Sequence, residues 1–224
     1  KTLENSRNKF LKYYENAPSV SYNHHQRISY WFDEPTIQEL DKIYFAIKKI
    51  KNHNVRRFFL CSFSHNLKNC SRWLMKSIKP TIDKDKILPN PKDTFLRHLD
   101  SMIKKNERFY STLAQSGYIN TPAKMYRRDS TKKLPIEAEA IDIIITSPPY
   151  VTSYEYADLH QLTALWLEYT KSVNEFREGF IGSIHKKEFD HNGIKSKLAK
   201  QEIEELSKKS KKEAESVKNY FFEM

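Results

Sequence analysis

Apolar residues spaced three and four apart dominate the first half of this chain, and that rhythm restricts it to packed helices there. Ile37, Leu40, Ile43, Tyr44, Ile47 and Ile50 recur at helical spacing from Thr36, just after Pro35, a residue suited to a helix's first turn. Val55, Phe58, Phe59, Phe63 and Leu67 continue the pattern. Phe95, Leu99, Met102, Ile103 and Phe109 resume it after a proline-containing break over residues 79–92. Long helices are expected up to about Gln115. Only four glycines occur in 224 residues, and no two of them form a loop that could cradle a phosphate.

The character changes after Gly117. Residues 123–127 form a short strand candidate and residues 141–146 a stronger one, because Ile141, Ile143, Ile144, Ile145 and Thr146 are β-branched; a buried parallel strand is expected there. Leu159, Leu162, Leu165 and Trp166 predict a helix within residues 154–169. A loop then passes Gly179, Gly182 and Gly193. A charged helix is expected over residues 197–222, with Leu198, Ile203, Leu206, Val217 and Phe221 as its sparse apolar face.

Lys and Arg total 39 against 28 Asp and Glu, a formal charge of +11. Such an excess suits a polyanionic partner, nucleic acid first, although a lysine-rich composition also serves solubility. Lys48, Lys49, Lys51, Arg56 and Arg57 cluster near Phe58 and Phe59, either as a recognition surface or as a solvated helix face. Lys208, Lys209, Lys211 and Lys212 admit the same two readings. Cys61 and Cys70 have no C-x-x-C spacing, and adjacent His24 and His25 lack a third ligand at useful distance, so no disulfide framework and no metal site is expected. His160 reads as a packed or boundary histidine of its helix. No apolar run reaches the ~18 residues of a membrane span, and an intracellular, reducing location is expected. The chain opens at Lys1 without methionine and reads as a segment of something longer.

The sharpest signal is Ser147-Pro148-Pro149-Tyr150, directly after the isoleucine run. Proline has no N–H to donate and holds the preceding residue extended, so the turn offers acceptors. Acceptors suit a nucleobase amine, whose lone pair is delocalised into the ring. If the Ser147 hydroxyl and the Pro148 carbonyl each accept an N–H, the nitrogen pyramidalises and its developing positive charge is stabilised. Tyr150 offers a ring on which an extruded base could stack. The bland alternative is a rigid turn or a polyproline-type ligand.

Residues 141–167, IDIIITSPPYVTSYEYADLHQLTALWL, resemble the catalytic segment of amino-directed DNA methyltransferases, which make 4-methylcytosine or 6-methyladenine. The resemblance implies S-adenosyl-L-methionine as cofactor, DNA as partner, membership of a restriction-modification system and a prokaryotic cytoplasmic location. It makes Ser147, Pro148, Pro149 and Tyr150 the catalytic turn, with Tyr154 beside the base. Tyr126-Arg127-Arg128-Asp129-Ser130 resembles the family's strand end near the cofactor adenine, so Asp129 and Thr146 become cofactor-binding candidates. The fold implied is α/β: a partial Rossmann-like methyltransferase sheet with a large helical insertion before the catalytic strand. Residues 1–116 would be that helical region, serving target recognition or as an insertion, and residues 117–224 part of the catalytic domain.

Two family features have no counterpart in this chain. There is no Asp-Pro-Phe-x-Gly-x-Gly-type cofactor loop, and no acidic residue for the cofactor ribose can be assigned. Residues 217–224 resemble the helix that precedes further sheet strands. The expectation is therefore that flanking segments, a partner subunit or a second copy complete the site. Alternatives are an RNA or protein amino-methyltransferase, which more usually has Asn where Ser147 stands, and a non-catalytic DNA-specificity or interaction subunit.

Overall fold

The computed structural model describes residues 2–77, 79–129, 132–147, 150, 156–180 and 193–223. Its regular elements are α1 (Thr2–Glu15), α2 (Gln26–Trp31), α3 (Glu34–Lys48), α4 (His53–Cys70), α5 (Pro91–Gln115), α6 (Tyr156–Trp166), α7 (Val173–Glu178), α8 (Lys197–Lys209) and α9 (Lys211–Glu223). Extended pairing among the described residues is confined to an isolated antiparallel bridge between Trp73 and Ile82. Two compact units divide the chain. The first comprises Lys1–Thr121 with Leu159–Lys171, the second Pro122–Asp158 with Ser172–Met224.

The first unit is a helical bundle whose boundaries follow local chemistry. Asp33, Asn52 and Asn90 cap α3, α4 and α5 by accepting from the N–H three residues on, and Pro35 and Pro91 occupy first-turn positions that need no donor. Ile37, Leu40, Ile43 and Ile47 of α3, Val55, Phe59, Phe63 and Leu67 of α4, and Phe95, Leu99 and Ile103 of α5 are buried. Each contributes about 1.5–3 kcal/mol of transfer free energy. Phe10, Phe59 and Phe95 join α1, α4 and α5 with ring centroids 5.0–6.4 Å apart. The guanidinium of Arg7 holds both carboxylate oxygens of Asp100, fixing α1 along α5.

Beyond α4 the chain turns through a segment with little regular structure, held by Lys86. Its ammonium donates to the carbonyls of Lys68 (3.2 Å), Ser71 (2.6 Å) and Trp73 (3.1 Å), satisfying acceptors at the end of α4. Burial lowers the Lys86 pKa from its ordinary value. Trp73 stacks on Trp31 at 5.0 Å, bringing the start of this segment onto α2. From α6, Gln161 accepts from Arg27 (2.7 Å), Thr163 bonds Ser64 (2.8 Å), and Trp166 sits against Phe32 and Phe63.

In the second unit, Ser172 caps α7, and Arg177 reaches the carboxylate of Asp158 at 2.8 Å. The single charged helix expected over residues 197–222 is two helices packed on each other. Ser210 lies in extended backbone between them, its N–H ending α8 on the Leu206 carbonyl and its hydroxyl accepting from Glu213 at the start of α9. A serine that satisfies two helix ends at once favours a break over a continuous helix. The small residues Ala199 and Ala214 are buried, whereas Leu198 is exposed. At Gly193 an added Cβ would lie 2.9 Å from the Phe222 ring, so glycine permits that approach.

The described structure overturns the α/β expectation. No sheet forms among these residues, and the strand candidates at 123–127 and 141–146 are irregular. Ile143, Ile144 and Ile145 are 77%, 81% and 94% exposed, where a central parallel strand would be buried. A strand needs neighbours to take up its N–H and C=O groups on both edges, and no described segment lies in register to do so. A β-branched run reports a preference for pleated, half-buried surroundings without supplying them. The partial Rossmann-like sheet is therefore not the architecture of this structure.

Candidate functional site

Asp129, Thr146, Ser147 and Tyr150 all belong to the second unit, and all are exposed, Tyr150 at 59%. Pro148, Pro149 and Tyr154 lie outside the described residues. Exposed side chains of this kind do not enclose a sulfonium ligand or keep water from it. The four described positions thus do not by themselves fit an enclosed cofactor site. His160, expected to pack, is exposed on α6. Lys48, Lys49, Lys51 and Arg57 are exposed around the α3–α4 corner, while Arg56 folds back to the Ile50 carbonyl. Among the described residues no group of three or more His, Cys, Asp or Glu could hold a metal ion.

A different set of residues lines a polar cavity of about 460 Å³ within the first unit. Its wall includes Tyr22, His24, Tyr44, Lys48, Trp166 and Glu168. Asp41 organises one side. Buried on α3, it accepts the Tyr22 N–H at 3.1 Å and bonds His24 Nε2 at 2.8 Å. His24 in turn lies against Trp166 with ring centroids 4.4 Å apart. The adjacent histidines are therefore distinct. His24 is half-buried and anchored, whereas exposed His25 caps α2 by accepting from Arg27.

Tyr22 meets Tyr44 edge to face at 5.4 Å, and the Lys48 ammonium sits 5.3 Å from both ring centroids. Burial, then the Asp41 charge, raises the Tyr22 pKa. Burial, then Tyr22, Glu168 and Tyr169, raises that of Tyr44. Both phenols therefore stay protonated through the neutral range.

Glu168 has a backbone φ of +56° in the turn that ends α6. The Tyr169 N–H reaches the Ala164 carbonyl (2.8 Å) and the Glu168 N–H the Leu165 carbonyl (3.3 Å). This is a Schellman closure with Glu168 in the left-handed position usually given to glycine. Sequence reasoning missed the cavity, although one signal was present. Asp41 falls four residues after Ile37 and one after Leu40, placing a carboxylate in the apolar stripe of α3, where a buried partner is required.

No family model matches the chain, and no solved structure matches it. It is similar to the Type II methyltransferase M.MvaI of Kocuria varians, with 26% identity over 215 residues. The match covers 88% of this chain and 47% of that protein, so the chain spans about half the length of the curated relative. That likeness, extending over most of the chain, supports a methyltransferase relationship.

Proposed function

We propose that this chain carries the base-accepting turn of a DNA methyltransferase, which transfers a methyl group from S-adenosyl-L-methionine to an exocyclic amine of cytosine or adenine. The observation that carries the reading is the likeness to a Type II methyltransferase over 88% of the chain. Ser147-Pro148-Pro149-Tyr150 adds the amino-directed subtype, because its acceptors suit an N–H₂ group. In this reading Ser147 accepts one amine proton and the Pro148 carbonyl the other, while Tyr150 stacks on the extruded base. Asp129 and Thr146 are assigned to the cofactor, with Tyr154 beside the base. The exposure of the described members implies that further protein completes the enclosure, whether flanking sequence, a partner subunit or a second copy. The net charge of +11 suits the DNA backbone. Residues 1–116 act in target recognition or as an insertion, and residues 117–224 carry the catalytic turn. A bacterial cytoplasm is the matching location, and no described helix is long and apolar enough to cross a membrane.

A second reading, a non-catalytic DNA-specificity subunit, is favoured by the same exposure of Asp129, Thr146, Ser147 and Tyr150. The two separate in an assay of labelled methyl transfer to DNA by the product of the native gene. The catalytic reading expects transfer, reduced on the order of 100-fold by Ser147→Ala and about 5- to 100-fold by Tyr150→Ala. Transfer unchanged in both variants removes the assigned roles. DNA binding without any transfer supports the non-catalytic subunit.

A further inference from the structure

The positive charge of this chain is concentrated in one stretch. Ten Lys and Arg and no Asp or Glu lie between Asp41 and Asp83, which is nearly the whole net charge of +11. A solvated helix face ordinarily intersperses both signs, as α8 and α9 do, where Glu202, Glu204, Glu205, Glu213 and Glu215 offset the lysines. α4 has no acidic residue along its length, so its cations repel one another with no countercharge on the helix. Lys48 and Lys49 at the end of α3 already lie over aromatic rings, and Arg56 folds onto the Ile50 carbonyl. Lys51 and Arg57 differ from these. Both are exposed, and no hydrogen bond, ion pair or ring contact joins either to another described residue.

α1 packs along α3 and brings further donors to this corner from a distant part of the chain. Lys9 and Tyr13 of α1 line a cavity of about 340 Å³ with Ser6, Ile50, Lys51 and Asn52, wholly in the first unit. Its wall contains no acidic residue. Lys9 is exposed and Tyr13 half-buried, and neither has a partner among the described residues. Two unanswered ammonium groups and a phenolic hydroxyl therefore share one opening, while Arg57 stands exposed on the second turn of α4, the helix that Asn52 caps. We infer that Lys9, Tyr13, Lys51 and Arg57 form a surface that seats the sugar–phosphate backbone of duplex DNA. Ammonium and guanidinium groups neutralise successive phosphates, and the hydroxyl donates to a phosphate oxygen. A duplex presents charge in regular succession, about one per 1.7 Å of its axis, which suits a positive stretch spread over several helices. Such contacts position a duplex without reading its sequence. The choice of DNA over another polyanion rests on the proposed methyltransferase reading, whereas the place of the surface does not.

Fluorescence anisotropy of the whole protein with a short labelled DNA duplex, at several salt concentrations, tests the surface. Each of Lys9→Ala, Lys51→Ala and Arg57→Ala should lower the slope of log affinity against log salt by about 1, and weaken binding equally for unrelated sequences. The triple variant should add the three effects and keep the native melting temperature, because these side chains are exposed and unpartnered. Lys208→Ala combined with Lys209→Ala and Lys211→Ala removes the same charge from the second unit and should leave the slope as it is. Unlabelled duplex should displace the probe, and polyglutamate of equal charge should not. Ser147→Ala should bind with the native slope. DNA binding that depends on Lys9, Lys51 and Arg57 without any methyl transfer upholds the surface and removes the catalytic reading; methyl transfer with a slope unchanged in the triple variant does the reverse. Absence of DNA binding by the folded protein, an equal loss of slope in the Lys208 combination, or displacement by polyglutamate overturns the inference.

Discussion

His65 and His98 lie ring on ring, their centroids 4.1 Å apart and their planes within 8°, joining α4 to α5. Two imidazolium ions in that geometry would repel. Burial first, then His65 and Lys105, lowers the His98 pKa from 6.5. The unfolded chain therefore takes up a proton on this residue at a higher pH than the folded one. Stability from the neutral pair is complete above pH 6.5 and is lost as pH falls through 6.5 toward the folded value. Urea midpoints should be level at neutral pH and decline below that point, and His98→Gln should flatten the decline. An unchanged slope in the variant would show that other groups govern acid sensitivity. At this scale the sequence is informative only where a residue breaks its surroundings. Asp41 in an apolar stripe announces a buried partner, but that the partner is His24 and not neighbouring His25 depends on the path of residues 22–25 over α3.

Helices were more legible than single contacts. The apolar periodicity of α3, α4 and α5 predicts most of the buried faces, though Phe109 at the far end of the α5 stripe is exposed, and Gln115 ends α5 as expected, because burial of one stripe is what stabilises such helices. The isoleucine run at 141–146 shows the opposite case. Its residues have strand preference, yet what decides their fate is a neighbouring strand, and that information does not reside in six residues. Ile43, fully buried on α3, should cost about 2–5 kcal/mol of stability when replaced by alanine. Ile145→Ala should change stability by no more than about 0.5 kcal/mol. Denaturant unfolding of the two variants measures both. Comparable losses would mean that residues 141–146 are packed, contrary to the exposure of Ile143, Ile144 and Ile145. The division into α8 and α9 was hidden for a related reason, since Ser210 reads as an ordinary exposed helix residue until its two capping bonds are seen.

For the whole molecule, the proposed function joins four residues to a distant likeness. In the proposed reading Ser147-Pro148-Pro149-Tyr150 offers acceptors and a ring to a base amine, and the likeness to a Type II methyltransferase extends over 88% of the chain. Of the candidate site the sequence offers a proposed chemistry and no architecture, because four residues suggest which group they could receive but not what encloses them. The helical unit and its cavity contribute surfaces that the motif alone does not reveal. The most direct measurement is a map of modified bases in the genome of cells carrying the native gene, compared with cells in which it encodes Ser147→Ala. The expected result is 4-methylcytosine or 6-methyladenine at one recurring short sequence, lost in the variant. An identical methylation pattern in both, or no amino-methylated base in either, would contradict the assignment.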